Sequence, residues 1–319
     1  MNNQAVDLYL ELVSTEDPLP IIERELSAIK GIKIISFKPQ IFAIADSTAD
    51  KPSILLTAHT DVKNIAAAIH DENGVIWGSG ADDRAGIAAI LAALKSIDTL
   101  PHGRIGVLFS YGEEKGCLGA YEFFRANTIH FDYTFSVDGN GRSGNGFFPY
   151  YKALGYELDF EDEKLYNAII EANESTIKSK KGKLVRVGNR FACSLTIRAA
   201  DKEKLAEYFL KSKDICISFD GDLPGKACAI KKKEFGFLPE KRDLIIPDLI
   251  KNAYSKEGVE FRCCESLIGG TDATVAAEYG YKAFILNSGA LDAHEKTERV
   301  YAEDILLNAR VLKNLLTDF

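Results

Sequence analysis

Residues 53–62, SILLTAHTDV, and residues 78–91, GSGADDRAGIAAIL, decide the fold of this chain. The first carries the apolar run Ile54–Ala58 into a histidine and an aspartate. The second sets two aspartates among small residues, directly before an alanine-rich run, Ala85–Leu94, that reads as a tightly packed helix. The same rhythm follows. Arg104–Ser110 (RIGVLFS) reads as a buried strand, then come paired glutamates, a helical pattern over Gly119–Ala126, and a strand Tyr133–Val137 ending in Asp138. Short apolar strands alternating with helices predict an α/β fold: a mixed, mostly parallel sheet sandwiched by helices.

Upstream of these stretches, residues 4–13 and 20–29 have helical spacing, and Ile32–Phe37 and Ile41–Ala45 read as strands. Beyond Asp138 the pattern changes. NGRSGNG is turn-rich, and Phe147–Phe160 is aromatic and irregular. Glu163–Lys181 looks helical and ends in a basic run that reads as a solvated helix end. Cys193–Arg198, Asp201–Lys211 and Asp214–Phe219 predict strand, helix and strand, a smaller inserted α+β lid. From Asp243 the α/β rhythm returns: a helix to about Ser255, a strand Val259–Cys263, a helix Asp272–Tyr279, a strand Ala283–Leu286 and a last helix Ala302–Leu316. The expected boundaries are 1–145 and 241–319 for a split catalytic domain and 146–240 for the lid.

Composition narrows the function. A net charge of -8 lacks the basic face a nucleic-acid binder needs. No basic n-region or long apolar stretch opens the chain, and no apolar run reaches the length of a membrane span. A soluble, cytoplasmic protein is expected. The six cysteines form no CxxC pair, so reduced, mostly buried thiols are expected in place of a disulfide framework or a thiolate zinc site.

Five acidic and histidine motifs then stand out in order: His59-Thr60-Asp61, Asp82-Asp83-Arg84, Glu113-Glu114, Asp138 and His294. Each lies at or near the end of an apolar run, where a strand delivers it to one rim of a sheet. Singly each has a plain reading: a polar loop, a helix N-cap, two glutamates at the next helix start. Together they suit two divalent ions. A carboxylate has two oxygens and spans cations roughly 3.5–4 Å apart. Two adjacent glutamates at a dry strand end repel unless a cation or proton intervenes. A carboxylate behind His59 would fix its tautomer, a role open to Asp61. The remaining histidines, His70, His102 and His130, sit in polar, turn-like contexts and read as surface residues. With oxygen and nitrogen donors and no thiolate, two Zn ions are the leading expectation, with Mn or Co as alternatives. A sixth element is GGTDA, where Gly270, Thr271 and Asp272 open a helix and offer backbone N–H groups to an anion.

These residues resemble the cocatalytic zinc exopeptidases, the family that includes peptidase T, aminoacylase and carboxypeptidase G. The resemblance covers roughly residues 50–140 and 265–305 and rests on GADDRAG, the glutamate pair, VDGNG and GGTDA. It implies that His59, Asp82 and Asp138 hold one metal, and that Asp82, Glu114 and His294 hold the other. Asp82 is the implied bridge because Arg84 fills the basic slot of the family's Asp-x-Lys/Arg pattern, and the family carries a cis peptide after that aspartate. Glu113 would be the general base and Asp61 would orient His59. The implied reaction is hydrolysis of an amide next to a free terminus, in a di- or tripeptide or an N-acyl amino acid, by a water shared between the ions. Lidded members also supply a histidine from the lid and pair through it as homodimers. No histidine lies between His130 and His294 here, and Arg186, Asn189 and Arg190 in KLVRVGNRF are the candidates for its place. A lidless zinc aminopeptidase and a non-catalytic metal- or peptide-binding protein on the same scaffold are the alternatives, and an intact Glu113 argues against the second.

Overall fold

The computed structural model describes residues 4–37, 39–63, 70–78, 80–97, 100–160, 180–181, 185–187, 190–199, 229–237, 243, 245–264 and 270–318, with scattered helical positions between 168 and 214. The chain divides into two compact units. One comprises Met1–Pro149, Lys241–Glu265 and Gly270–Phe319, and the other Tyr150–Glu240 with Ser266–Gly269.

The first unit opens with helices α1 (Gln4–Val13) and α2 (Leu19–Ser27). α1 buries Ala5, Leu8, Tyr9, Leu12 and Val13, a stripe at helical spacing. Strands β1 (Ile32–Phe37) and β2 (Gln40–Ala45) pair as an antiparallel hairpin, and β3 (Ile54–His59) is buried along its whole length. A second hairpin joins β4 (His70–Glu72) to β5 (Val75–Trp77) through Asn73 and Gly74, at φ 55° and 77°. Helix α3 (Ala81–Ser96) follows, then β6 (Ile105–Ser110), α4 (Leu118–Ala126), β7 (Tyr133–Gly139) and β8 (Asn145–Phe147).

In the second unit β9 (Tyr151–Phe160) departs from the irregular segment expected over Phe147–Phe160. It is a full strand because both its edges are paired. Two further short strands, β10 (Lys180–Lys181) and β11 (Val185–Val187), lead to β12 (Arg190–Ala199), and β13 (Ala229–Phe237) completes the sheet in the order β10-β12-β9-β13, with β11 on β12. Every pairing in it is antiparallel. Glu203, residues 205–207 and residues 210–211 are helical, within the helix expected over 201–211. The expected helix Glu163–Lys181 and strand Asp214–Phe219 lie mostly outside the described residues. Within them Ala168 and Glu171 are helical, Lys180 and Lys181 are strand, and Asp214 is helical.

The chain then returns to the first unit with α5 (Ile245–Ser255), β14 (Arg262–Cys264), α6 (Asp272–Glu278), β15 (Ala283–Asn287), β16 (Ala290–Leu291), β17 (Arg299–Tyr301) and α7 (Ala302–Asp318). Its main sheet runs β1-β2-β6-β3-β7-β15-β8-β14. The four central strands, β6, β3, β7 and β15, are mutually parallel and the flanks are mixed. This is the expected α/β architecture. The chain leaves β3 for β6 on one side and then for β7 on the other, so β3 marks a switch point, and clefts in such sheets open at the carboxyl ends of the strands. His59, Ser110 and Asp138 all stand at those ends.

α3 explains why the sheet and its cover meet so closely. It is apolar on nearly every face, burying Ala85, Gly86, Ile87, Ala88, Ala89, Ile90 and Leu91, and it packs on β3, β7, α1 and α7. A helix apolar all round belongs inside a protein. A smaller antiparallel sheet, β16-β17-β5-β4, forms a separate layer that pairs Arg299 with Trp77. Two sequence expectations change here. His102 is buried, not on the surface, with its ring nitrogen Nδ1 2.6 Å from the Gly103 carbonyl oxygen. Cys117 is buried as expected, but Cys263 is exposed. Among the described residues, no helix is long and apolar enough to cross a membrane.

Candidate active site

His59 ends β3, and the rim around it is built from the loops that follow β3, β5, β6 and β7, together with the loop before β17. Its ring is 1% exposed. Nδ1 lies 2.8 Å from the Asp61 carbonyl oxygen and 3.6 Å from Asp61 Oδ1. The backbone carbonyl of Asp61 therefore fixes the ring more closely than its carboxylate does. That carboxylate has another job. It accepts the backbone N–H groups of Glu113 (3.1 Å) and Glu114 (3.3 Å), tying the loop after β6 to the loop after β3.

With Nδ1 turned to Asp61, His59 Nε2 points across the rim. It stands 3.1 Å from Asp82 Oδ1 and 3.4 Å from Asp138 Oδ1. The other oxygen of Asp82, Oδ2, is 3.1 Å from His294 Nε2, which also contacts Glu114 Oε1. Asp82 thus divides its two oxygens between two histidines. The chain is not helical there: Asp82 has φ -91° and ψ 101°, and the Asp82–Asp83 peptide is cis, as the family resemblance implied.

Asp83 is engaged by backbone groups instead. Fully buried, it accepts the backbone N–H of His59 at Oδ2 (3.3 Å) and that of Gly86 at Oδ1 (3.1 Å). Ligand-type atoms of His59, Asp82 and Glu114 lie within 4.8 Å of one another, as do those of His59, Asp83 and Asp138, so either trio can hold a metal ion. His294 sits at φ 72°, a left-handed conformation that costs a non-glycine residue about 1–3 kcal/mol and persists only where its surroundings hold it.

The electrostatics follow the geometry. Burial would raise the Asp82 carboxyl, but hydrogen bonds with His294 and His59 outweigh it and hold it below the usual carboxylate range. Those with Asp82 and Glu114 push His294 up to about 9. Burial disfavours a charged His59, yet the facing Asp138, Asp61 and Asp82 carry its pKa well above the ordinary value. Burial, then the charge of Asp138, raises Glu113. Burial also raises Asp138 itself, against the pull of His59.

Of the other expected site residues, Asp272 opens α6 and is 1% exposed, accepting the Ser110 hydroxyl at 2.6 Å. Burial raises its pKa to about 6. Thr271 is buried beside it and Gly270 is exposed. Arg186 and Arg190 lie on β11 and β12 of the second unit, and their side chains, like all of Asn189, fall outside the described residues.

Among the described residues, the neighbours the sequence reading missed include Cys117, whose Sγ lies 3.8 Å from Glu113 Oε1, as well as Lys63 and Glu298. Lys63 Nζ lies 2.8 Å from Glu114 Oε2 and 3.0 Å from His294 Nδ1. Its place two residues after Asp61 in the same loop was the available signal. Glu298, four residues after His294, is buried and bonded to the backbone on either side of Ala81. Nothing in its local sequence marks it, because its partners are brought by the small sheet.

The donor set fits divalent cations. Among the described residues, Asp138 Oδ2 is a buried acceptor with no hydrogen-bond donor, and Glu114 Oε1 meets His294 in place of one. Carboxylate oxygens and imidazole nitrogens converge, and among the described residues neither trio includes a cysteine, a combination that suits Zn, Mn or Co.

An α/β sheet with acidic and imidazole groups gathered at the carboxyl ends of its strands defines a hydrolase-type metal centre. The profile of peptidase family M20/M25/M40 matches residues 55–318, and the chain belongs to that family and is a metallopeptidase. It is 24% identical over 307 residues to the uncharacterized protein YqjE of Bacillus subtilis, covering 85% of this chain and 82% of that one. The fold resembles that of the aminopeptidase PepT from Bacillus cereus, with a TM-score of 0.80 at 18% identity, covering 99% of this chain and 98% of that chain. It also resembles YxeP of Bacillus subtilis, described as a dinuclear metal-binding peptidase, with a TM-score of 0.73 at 15% identity over 99% and 97% of the two chains.

Proposed function

We propose that this metallopeptidase is a dinuclear exopeptidase that cleaves an amide next to a free terminus, in a di- or tripeptide or an N-acyl amino acid. One observation carries the reading: Asp82 presents one oxygen to His59 and the other to His294, each at 3.1 Å. A carboxylate so placed has one oxygen to offer each of two ions. His59, Asp82 and Asp138 would hold one ion, and Asp82, Glu114 and His294 the other, Zn first with Mn or Co as alternatives. Asp83 is the weaker bridge because backbone N–H groups already engage both its oxygens. Bound divalent ions would polarise the scissile carbonyl and acidify a shared water.

The chain's own residues do the rest. Glu113, held by its backbone to Asp61, takes the proton of the attacking water and returns it to the leaving amine. Glu113 and Glu114 divide the labour of their doublet: Glu114 turns to His294 and Lys63, while burial and the charge of Asp138 raise the pKa of Glu113. The α6 start at Gly270, Thr271 and Asp272 is the proposed seat for a substrate anion. From the second unit, Arg186, Asn189 and Arg190 are the proposed substitutes for a lid histidine. A peptide substrate agrees with the described activities of the relatives, the aminopeptidase PepT among them. A homodimer and a cytoplasmic setting belong to the same proposal.

The test is a panel of dipeptides, tripeptides and N-acyl amino acids, assayed on chelator-stripped protein with Zn, Mn or Co added back. Metal-dependent turnover of at least one class is expected. A protein that takes up metal yet turns over none of the panel would leave the binding-protein alternative in its place.

A further inference from the structure

Glu298 precedes β17 and is 3% exposed. Because β17 pairs with β5, its backbone lies beside the chain that leaves β5, and its carbonyl accepts the Gly78 N–H at 3.0 Å. Its side chain reaches further along that same segment. Oε1 accepts the backbone N–H of Gly80 at 2.9 Å and of Asp82 at 3.0 Å. The His294 backbone bonds to the same carboxylate. One buried side chain therefore meets both segments that carry Asp82 and His294.

Those N–H groups need such a partner. Gly80 sits at φ 101° and Asp82 has non-helical angles, so neither is paired as a helix interior would pair it. A buried N–H without an acceptor costs free energy comparable to a lost hydrogen bond. Satisfying both through one residue of the His294 loop couples the backbone positions of two candidate ligands whose side-chain atoms stand 3.1 Å apart.

We propose that Glu298 is a positioning residue: it holds the Asp82 backbone and the His294 loop in one register and so sets the affinity of the site for its divalent ions. This rests on the metal reading given under Proposed function. Outer-shell partners of metal ligands typically govern affinity by about 10–100-fold.

The experiment titrates Zn²⁺ into the metal-free full chain by calorimetry, with a competing chelator, for wild type, Glu298→Ala, Glu298→Asp and Glu298→Gln. The melting temperature of each metal-free protein is measured in parallel. Glu298→Ala and Glu298→Asp should lose about 10–100-fold in affinity, the second because one methylene less cannot reach both N–H groups. Glu298→Gln keeps the accepting oxygen and should bind as wild type does. A purely structural role would lower the melting temperature without this split between Asp and Gln. Should Glu298→Ala fail to fold, the Asp and Gln variants still decide. Wild-type affinity in Glu298→Asp, or equal loss in Glu298→Gln, overturns the proposal alone. A wild-type chain that takes up none of zinc, manganese or cobalt overturns the metal reading and this inference with it.

Discussion

Replacing Gly86 with alanine should disable the site without replacing any of the candidate ligands. A methyl carbon there would stand 2.1 Å from the Val137 carbonyl oxygen, and 2.3 and 2.8 Å from the two oxygens of Asp83. Ordinary contact for such a carbon begins at 3.4 Å, so α3 must retreat from β7 by roughly 1 Å and Asp83 must swing aside. The retreat strains the Asp83 bonds to the backbone N–H groups of Gly86 and His59. Overpacking costs about 1–3 kcal/mol and each lost hydrogen bond about 0.5–1.5, giving roughly 2–6 kcal/mol in all. Because Val137 precedes Asp138 and Asp83 follows Asp82, the displacement acts directly on two candidate ligands. Urea denaturation of the metal-free variant, followed by zinc titration, measures both effects. A loss below about 1 kcal/mol with wild-type zinc uptake would refute the close packing of α3 on β7.

Three further outcomes are expected. Glu113→Gln should lower turnover by at least ~10²-fold with metal content unchanged; loss of metal would mean that Glu113 is itself a ligand. Asp82→Ala should lose most bound metal, all activity and the stabilisation that metal confers, as read by metal analysis and thermal melts; the same losses from Asp83→Ala but not Asp82→Ala would move the bridge by one residue. Asp272 gives a pH test. Its folded pKa of about 6 lies above the ordinary value of 3.8, so its contribution to stability is fullest below 3.8 and is lost as pH rises through about 6. Relative to a non-titrating Asp272→Asn variant, the metal-free wild type should lose about 2 kcal/mol between pH 4.5 and pH 8, measured by urea denaturation at both pH values. A pH-independent difference would show that the Asp272 carboxyl is not shielded from water.

The parallel core was legible because β3 and β6 are short apolar runs, and fully buried strands have that signature. The rim followed in part, since His59, the glutamate pair and Asp138 come at the ends of β3, β6 and β7, whereas Asp82 follows β5 and His294 precedes β17 in the small sheet. What escaped depended on partners distant in sequence. β9 reads as irregular until β12 and β13 pair with its two edges, although Tyr156, Leu158 and Phe160 alternate with Glu157 and Asp159 along it. The hairpin at Asn73–Gly74 did carry a local signal, an Asn-Gly pair of the kind that favours a tight turn. Overlooking that hairpin hid the small sheet, and with the sheet went Glu298. The role of Asp61 was half visible. Spacing put it near the imidazole, but only the fold shows its carboxylate gripping the backbone of the glutamate pair.

The two acidic doublets show why sequence could name them but not divide them. In each, adjacent residues of one chemical type are driven in opposite directions. Against the cost of burial, hydrogen bonds with His294 and His59 hold Asp82 low, whereas burial and the charge of Asp138 hold Asp83 high. Against the same cost, those with His294 and Lys63 hold Glu114 low, whereas burial and Asp138 hold Glu113 high. The low member of each pair is the one that meets His294. Environments that push like groups apart are how a site assigns a charged ligand role to one and a proton-handling or structural role to the other. His294 is thus the partner common to both low members, beside His59 for Asp82 and Lys63 for Glu114, and it reaches them from a loop far along the chain, at a left-handed φ of 72°. Asp82 and Glu114 are its proposed partners in binding metal, and Asp83 and Glu113 are left to the core and to the water.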